Sequence, residues 1–264
     1  MPTIHLNQTE LYYESQGHGQ PLLFVHGLGA GTWTWEAQVH HFKNTFETWV
    51  PELRGHGRSE KTPGPYSIDI FARDLICFIA AQGLSQVHLI GLSMGGIIAY
   101  EIAAQRPDLV ASLVIVNCGP EVSQSNMQVQ WAMWQREIFM HLLSMEGVSR
   151  ILAARLFPDA DQATLRQRFV EHWAKNDKAS YEAAFHALIT WKGGNCPERI
   201  KCPALFVTTP DDYTPLQLKQ RYVTRMSDGR LVIVPNSRHV TPLDQPEAFN
   251  QVLAEFYEEM MELA

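Results

Sequence analysis

Hydrophobic positions along this chain change period again and again. Short unbroken apolar runs have strand length: Pro21–Val25, Phe46–Val50, Val87–Ile90, Leu113–Asn117, Pro203–Thr208 and Leu231–Val234. Between them lie stretches whose apolar residues recur three and four apart, the spacing of one helix face. These are Trp33–Phe42, Ser67–Gln82, the residues after Ser93 (Ile97, Ile98, Ile102, Ala103), Leu216–Met226 and Gln245–Met261. Ser67 is placed to cap the second of them, with Ile68, Phe71, Leu75, Phe78 and Ile79 on its apolar face and Asp69 and Asp74 on or near its exposed side. Thr3–Leu6 and Leu11–Glu14 read as an edge hairpin joined by Asn7–Glu10. Strand alternating with helix, the strands apolar throughout, predicts an α/β fold with a parallel sheet covered on both faces.

The alternation breaks at Glu121. From there to about Asn195 the spacing predicts only helices, over 122–145, 147–156, 163–176 and 178–190. The chain thus divides into a core, residues 1–120 and 196–264, and a helical lid inserted at 121–195. An insertion between parallel strands sits above their carboxyl ends, where ligands bind in such sheets. The insertion is rich in Met and Trp. Most of these side chains are expected to pack inside it, while Met127, Trp131 and Trp134 are expected to line an adaptable apolar pocket.

Between the third of these strands and its helix stands Gly91-Leu92-Ser93-Met94-Gly95-Gly96. The bare Gly-x-Ser-x-Gly pattern is weak, with about 0.1 chance matches in a chain of this length. Its context is what gives it meaning. A strand that becomes a helix within a few residues needs a sharp bend, which lifts Ser93 to a helix amino end where negative charge is favoured. A serine hydroxyl is a poor nucleophile without a base. His239 and an aspartate at 211 or 212 also directly follow predicted strands, so all three loops emerge at one sheet edge. His239 suits the base, and the carboxylate suits fixing its tautomer. The backbone N–H groups of Leu28, in His26-Gly27-Leu28-Gly29, and of Met94 suit an oxyanion hole. His56, between two glycines, reads instead as a loop histidine bonded locally.

Composition narrows the partners. With 45% hydrophobic and 19% charged residues the chain is an ordinary globular protein, and its net charge of -7 leaves no basic footprint for nucleic acid. No apolar run reaches membrane-span length, and no basic-then-apolar leader opens the sequence, so a cytoplasmic monomer or homodimer is expected. Cys77, Cys118, Cys196 and Cys202 lack metal-type spacing. The first two read as buried core thiols, and Cys196 and Cys202 as free rather than paired. No metal and no cofactor is called for.

The motifs together resemble the α/β-hydrolase fold over nearly the whole chain, through His26–Gly29, Arg54-Gly55-His56-Gly57-Arg58-Ser59, Gly91–Gly96, the Asp211 loop and the His239 loop. The resemblance implies a mostly parallel eight-stranded sheet with helices on both faces and a lid between strands 6 and 7. It also implies a serine hydrolase acting on a small-molecule ester through an acyl-enzyme. Among such enzymes the chain looks like small carboxylesterases and enol-lactone hydrolases; a lactone or carbon–carbon bond hydrolase, or a small-ligand receptor, are the alternatives. The family's acid loop usually carries Pro four residues after the acid, and Pro215 is four after Asp211, which favours Asp211 over Asp212. Three positions depart from the family's pattern: Thr208 and Arg238 stand where glycine is common, and Glu52 where aspartate is.

Overall fold

The computed structural model describes residues 2–119, 127–192 and 197–262. Eight strands form one sheet: β1 (Thr3–Leu6), β2 (Thr9–Gly17), β3 (Gln20–Val25), β4 (Phe46–Pro51), β5 (Val87–Leu92), β6 (Val110–Val116), β7 (Ala204–Thr208) and β8 (Gly229–Ile233). Their order is β1-β2-β4-β3-β5-β6-β7-β8. The β1/β2 and β2/β4 pairs are antiparallel and all others parallel. Every residue of β5 is buried, as a central strand covered on both sides requires.

The helices of the core are α1 (Glu36–Phe42), α2 (Ile68–Ala81) and α3 (Met94–Gln105). Between β6 and β7 come α4 (Met127–Leu142), α5 (Met145–Leu156), α6 (Ala163–Trp173) and α7 (Lys178–Thr190). The chain closes with α8 (Leu216–Val223), the single turn α9 (Thr241–Asp244) and α10 (Pro246–Glu262). Phe46 and Trp49 of β4 lie an odd number of residues apart and so point to opposite faces of the sheet. Phe46 packs on Tyr257 of α10 and Trp49 on Phe78 of α2, so helices cover both faces. No described helix is long and apolar enough to cross a membrane.

Several local readings hold, and some change. Ser67 caps α2 by accepting the Ile70 N–H at 3.1 Å. The β1–β2 turn is tighter than expected. It uses only Asn7 and Gln8, both at positive φ (43° and 61°), and Leu6 pairs directly with Thr9. A two-residue turn of that twist matches the strands it joins. Asp74 is not on an exposed face: it is buried and binds the Arg54 guanidinium at 2.5 Å. The apolar spacing of α2 cannot register a carboxylate that turns inward to meet a buried cation brought by the loop after β4. Cys118 is buried and Cys77 half-buried, both as free thiols, as is Cys202; Cys196 lies outside the described residues.

Candidate active site

The carboxyl ends of β5, β7 and β8 meet at one edge of the sheet, and the three loops that leave them carry Ser93, Asp212 and His239. Ser93 is the bend between β5 and α3, at φ 54° and ψ -118°. This conformation costs a non-glycine residue of order 1–3 kcal/mol and survives only where its surroundings impose it. The imposition is close packing. A Cβ on Gly91 would collide with the Gly95 carbonyl, and one on Gly95 with the carbonyls of Val25 and His26. Glycine at both places lets α3 start directly against β3 and β5, which leaves Ser93 projecting into the cleft.

His239 Nε2 lies 2.9 Å from Ser93 Oγ, and its Nδ1 lies 2.6 Å from Asp212 Oδ1. Burial works against charge on Asp212, but His239 and Lys219 outweigh it and hold the carboxyl below its ordinary range. An ionised carboxylate only accepts. Nδ1–H therefore donates to Asp212, and Nε2 is the lone pair that the Ser93 hydroxyl donates to.

The carboxylate that meets His239 is thus Asp212, not the expected Asp211. The chain turns through Pro210 and Asp211, leaving Asp211 exposed, while the Asp212 side chain is 0% exposed and receives the Thr214 N–H at 3.2 Å. The spacing to Pro215 misses this because the loop, not the count of residues, decides which carboxylate falls back onto the sheet edge.

Lys219 was not singled out from the sequence. Its side chain is 0% exposed, and its ammonium is bonded to Asp212 Oδ2 and to the hydroxyl of Thr208. Each oxygen of Asp212 is thereby held by a different cation-forming side chain. The available signal is positional: Lys219 stands one helical turn before buried Tyr222 on α8, where an apolar residue would be expected. Thr208, in place of glycine, supplies part of the lysine's seat. Asn117 was also missed. At φ 49° it follows β6, and its amide donates to the carbonyls of Arg238 (3.1 Å) and His239 (3.0 Å) and to Thr241 Oγ1 (2.7 Å), anchoring the histidine loop. Glu52 serves another purpose: burial opposes its charge, but Arg58 prevails and holds it ionised below the usual range.

Met94 is the first residue of α3, so its N–H lacks an intrahelical acceptor. Leu28 sits in a turn closed by Ala30 N–H to Gly27 O at 3.1 Å. A Cβ on Gly27 would stand 3.4 Å from Ser93 Cβ, so this turn abuts the elbow. The helices from the β6–β7 connection clamp it. Trp173 Nε1 donates to Leu28 O at 3.4 Å and Asn176 Nδ2 to Gly29 O at 2.7 Å. His56 is buried with Nδ1 on Arg54 O at 3.0 Å, and burial pushes it down to about 3, so it is a neutral structural histidine.

An apolar cleft opens above Ser93 and His239, lined by Leu28, Trp33, Met133, Arg136, Trp173 and Tyr213 among others. Met127, Trp131 and Trp134 are not among its lining residues. They are 83%, 57% and 51% exposed, and the two indoles pack against each other, tilted, with centroids 4.9 Å apart on the outer surface. Helix α4 instead turns Met133 and Arg136 toward the cleft. An amphipathic spacing marks two faces of such a helix but does not say which one meets the core.

The chain matches the alpha/beta hydrolase family over residues 22–252, and it belongs to that family. It is similar to an (E)-2-((N-methylformamido)methylene)succinate hydrolase of Acinetobacter baylyi, 26% identical over 258 residues that cover 96% of this chain and 95% of that protein. Its structure superposes on an enol-lactonase from Burkholderia xenovorans with a TM-score of 0.86 at 22% identity, covering 97% of this chain and 100% of the other. It superposes likewise on an esterase from Exiguobacterium antarcticum, with a TM-score of 0.87 at 20% identity and coverage of 95% and 96%.

Proposed function

We propose that this protein is a serine hydrolase that cleaves a carboxylic ester, open-chain or cyclic, through an acyl-enzyme. The observation that carries this reading is the directed chain Ser93–His239–Asp212, in which every donor has an acceptor and Ser93 and His239 line the cleft while the Asp212 side chain is fully buried. Ser93 Oγ attacks the carbonyl carbon while its proton passes to His239 Nε2. Asp212 stabilises the imidazolium so formed. The oxygen that becomes negative is held by the N–H groups of Leu28 and Met94, each donor contributing about 3 kcal/mol to the transition state. When the tetrahedral adduct collapses, His239 returns the proton to the leaving alcohol. Water then attacks the acyl group by the same steps in reverse, giving the acid and free Ser93. The helices α4–α7 act as a lid: they complete the apolar walls and hold the oxyanion turn. A lactone is a cyclic ester and requires no additional group.

Turnover of a 4-nitrophenyl ester series, with acyl chains from two to twelve carbons, tests this. Wild type is expected to turn over repeatedly with a maximum at one chain length. The Ser93→Ala protein should fold normally and lose about 10⁴-fold or more in kcat. Wild-type rates in that variant would overturn the assignment, and a single stoichiometric burst would point to a ligand-binding protein.

A further inference from the structure

Arg136 is a charged side chain in the cleft that the steps above do not use. It projects from α4 among Trp33, Met133, Trp173 and Leu188, and no Asp or Glu among the described residues lines that cleft. Its Nε and Nη2 both donate to the hydroxyl of Tyr181, which is buried. The rings of Trp173, Tyr181 and Phe185 lie 5.9, 5.5 and 5.8 Å from its guanidinium carbon. Tyr181 is a neutral partner, and no carboxylate among the described residues forms an ion pair with Arg136. By contrast Arg54, Arg58, Arg106, Arg150, Arg168, Arg225 and Arg230 all have one. A permanent charge held in an apolar cleft without a counter-ion is unfavourable unless a bound anion offsets it.

Two further arginines point the same way. The Tyr213 ring packs against His239, tilted, with centroids 4.6 Å apart. Burial raises the Tyr213 hydroxyl above its ordinary value and the charge of Asp212 adds to this, while the positive charges of Arg136, Arg155 and Arg238 pull it back. Neither Arg155 nor Arg238 has a side-chain ion pair among the described residues.

We propose that the substrate carries a carboxylate and that Arg136 receives it, which makes Arg136 the residue that selects anionic esters over neutral ones. The shape supports a carboxylate in particular. Tyr181 occupies the Nε side of the guanidinium, and the remaining Nη1 side presents the planar pair of donors that a carboxylate matches with two oxygens. This proposal rests on the serine-hydrolase reading for its chemistry but not for its binding site.

Two matched pairs of chromogenic esters test it. The first pair is 4-nitrophenyl valerate and mono-4-nitrophenyl glutarate, which adds the carboxylate on the acyl side. The second is 2-nitrophenyl butyrate and 3-butyryloxy-4-nitrobenzoate, which adds it on the alcohol side. Wild type should prefer the charged member of at least one pair by about tenfold or more in kcat/KM. Arg136→Met should bring that ratio to within about twofold of unity, and Arg136→Lys should retain part of the preference. A purely structural role for Arg136 would lower both members alike. Preference for neither charged ester, or a ratio unmoved in Arg136→Met, overturns the proposal. Binding of glutarate, followed by calorimetry on wild type and Arg136→Met, reads the same site without turnover. Should Ser93→Ala keep its activity, or no ester be cleaved, the hydrolase reading falls. Arg136-dependent glutarate binding would then still uphold the anion site, and its absence would remove it.

Discussion

Adjacent aspartates with opposite fates show how much of the site is decided by individual side chains. Asp211 is exposed at the tip of its turn, whereas Asp212 is shared between His239 and Lys219. Asp212→Asn should keep the geometry but favour the wrong imidazole tautomer, with kcat falling by about 10⁴-fold. Asp211→Asn should stay within about threefold of wild type, as for a surface position. Steady-state kinetics on the two variants decide between them, and an equal loss would contradict the arrangement. Lys219 bears on the same carboxylate. Removing one member of a buried ion pair leaves the other uncompensated, so Lys219→Met should destabilise the fold by about 3 kcal/mol. Most of that loss should vanish when Asp212→Asn is already present, because the charge that suffers is gone. Denaturant unfolding of the four proteins of this cycle measures the coupling; simple additivity would mean that the contact contributes nothing.

The elements contribute by where they begin and end. Strand β5 and helix α3 are joined with almost no loop, which is why Gly91 and Gly95 must lack side chains and why Ser93 is held at a positive φ. Helix α6 contributes from outside the sheet. Trp173, stacked on Phe169 and edge-on to Tyr181, gives its N–H to the carbonyl of Leu28 and so sets the turn that carries the proposed Leu28 oxyanion donor. Trp173→Phe preserves most of that packing while deleting the N–H. It should cost only about 1 kcal/mol of stability, the worth of one hydrogen bond. Its effect on kcat should be larger, about tenfold, because a displaced donor fails in the transition state. A variant with unchanged kcat would show that the turn holds its shape without α6.

For the molecule as a whole, three buried histidines set a limit on the acid side. His26, His56 and His88 are each pushed below the usual histidine value by burial, His56 to about 3 and His88 to about 4. In the unfolded chain all three titrate near 6.5. Between roughly pH 6.5 and 4 the unfolded state therefore binds protons that the folded state refuses, and stability falls as pH falls. Above pH 6.5 both states are neutral at these sites and the effect is absent. The melting temperature should decline steadily from about pH 6.5 to 4.5, and His88→Gln should flatten part of the slope. A melting temperature constant across that range would show that these histidines are not held neutral.

The order of strands and helices, the parallel sheet and the sheet edge that carries Ser93 and His239 were legible in the chain, because apolar period and glycine placement act within a few residues. The two-residue hairpin turn, the inward carboxylate of Asp74, the choice of Asp212, the buried Lys219 and the face of α4 that meets the cleft were not. Apart from the turn, each depends on a partner outside its own stretch of chain: Arg54 for Asp74, His239 and Lys219 for Asp212, Tyr181 for Arg136. Local pattern states what a residue prefers on average. Only the folded arrangement decides which charges come close enough to hold one another, and in this protein that decision brings Asp212 rather than Asp211 to His239 and places a cation in the cleft.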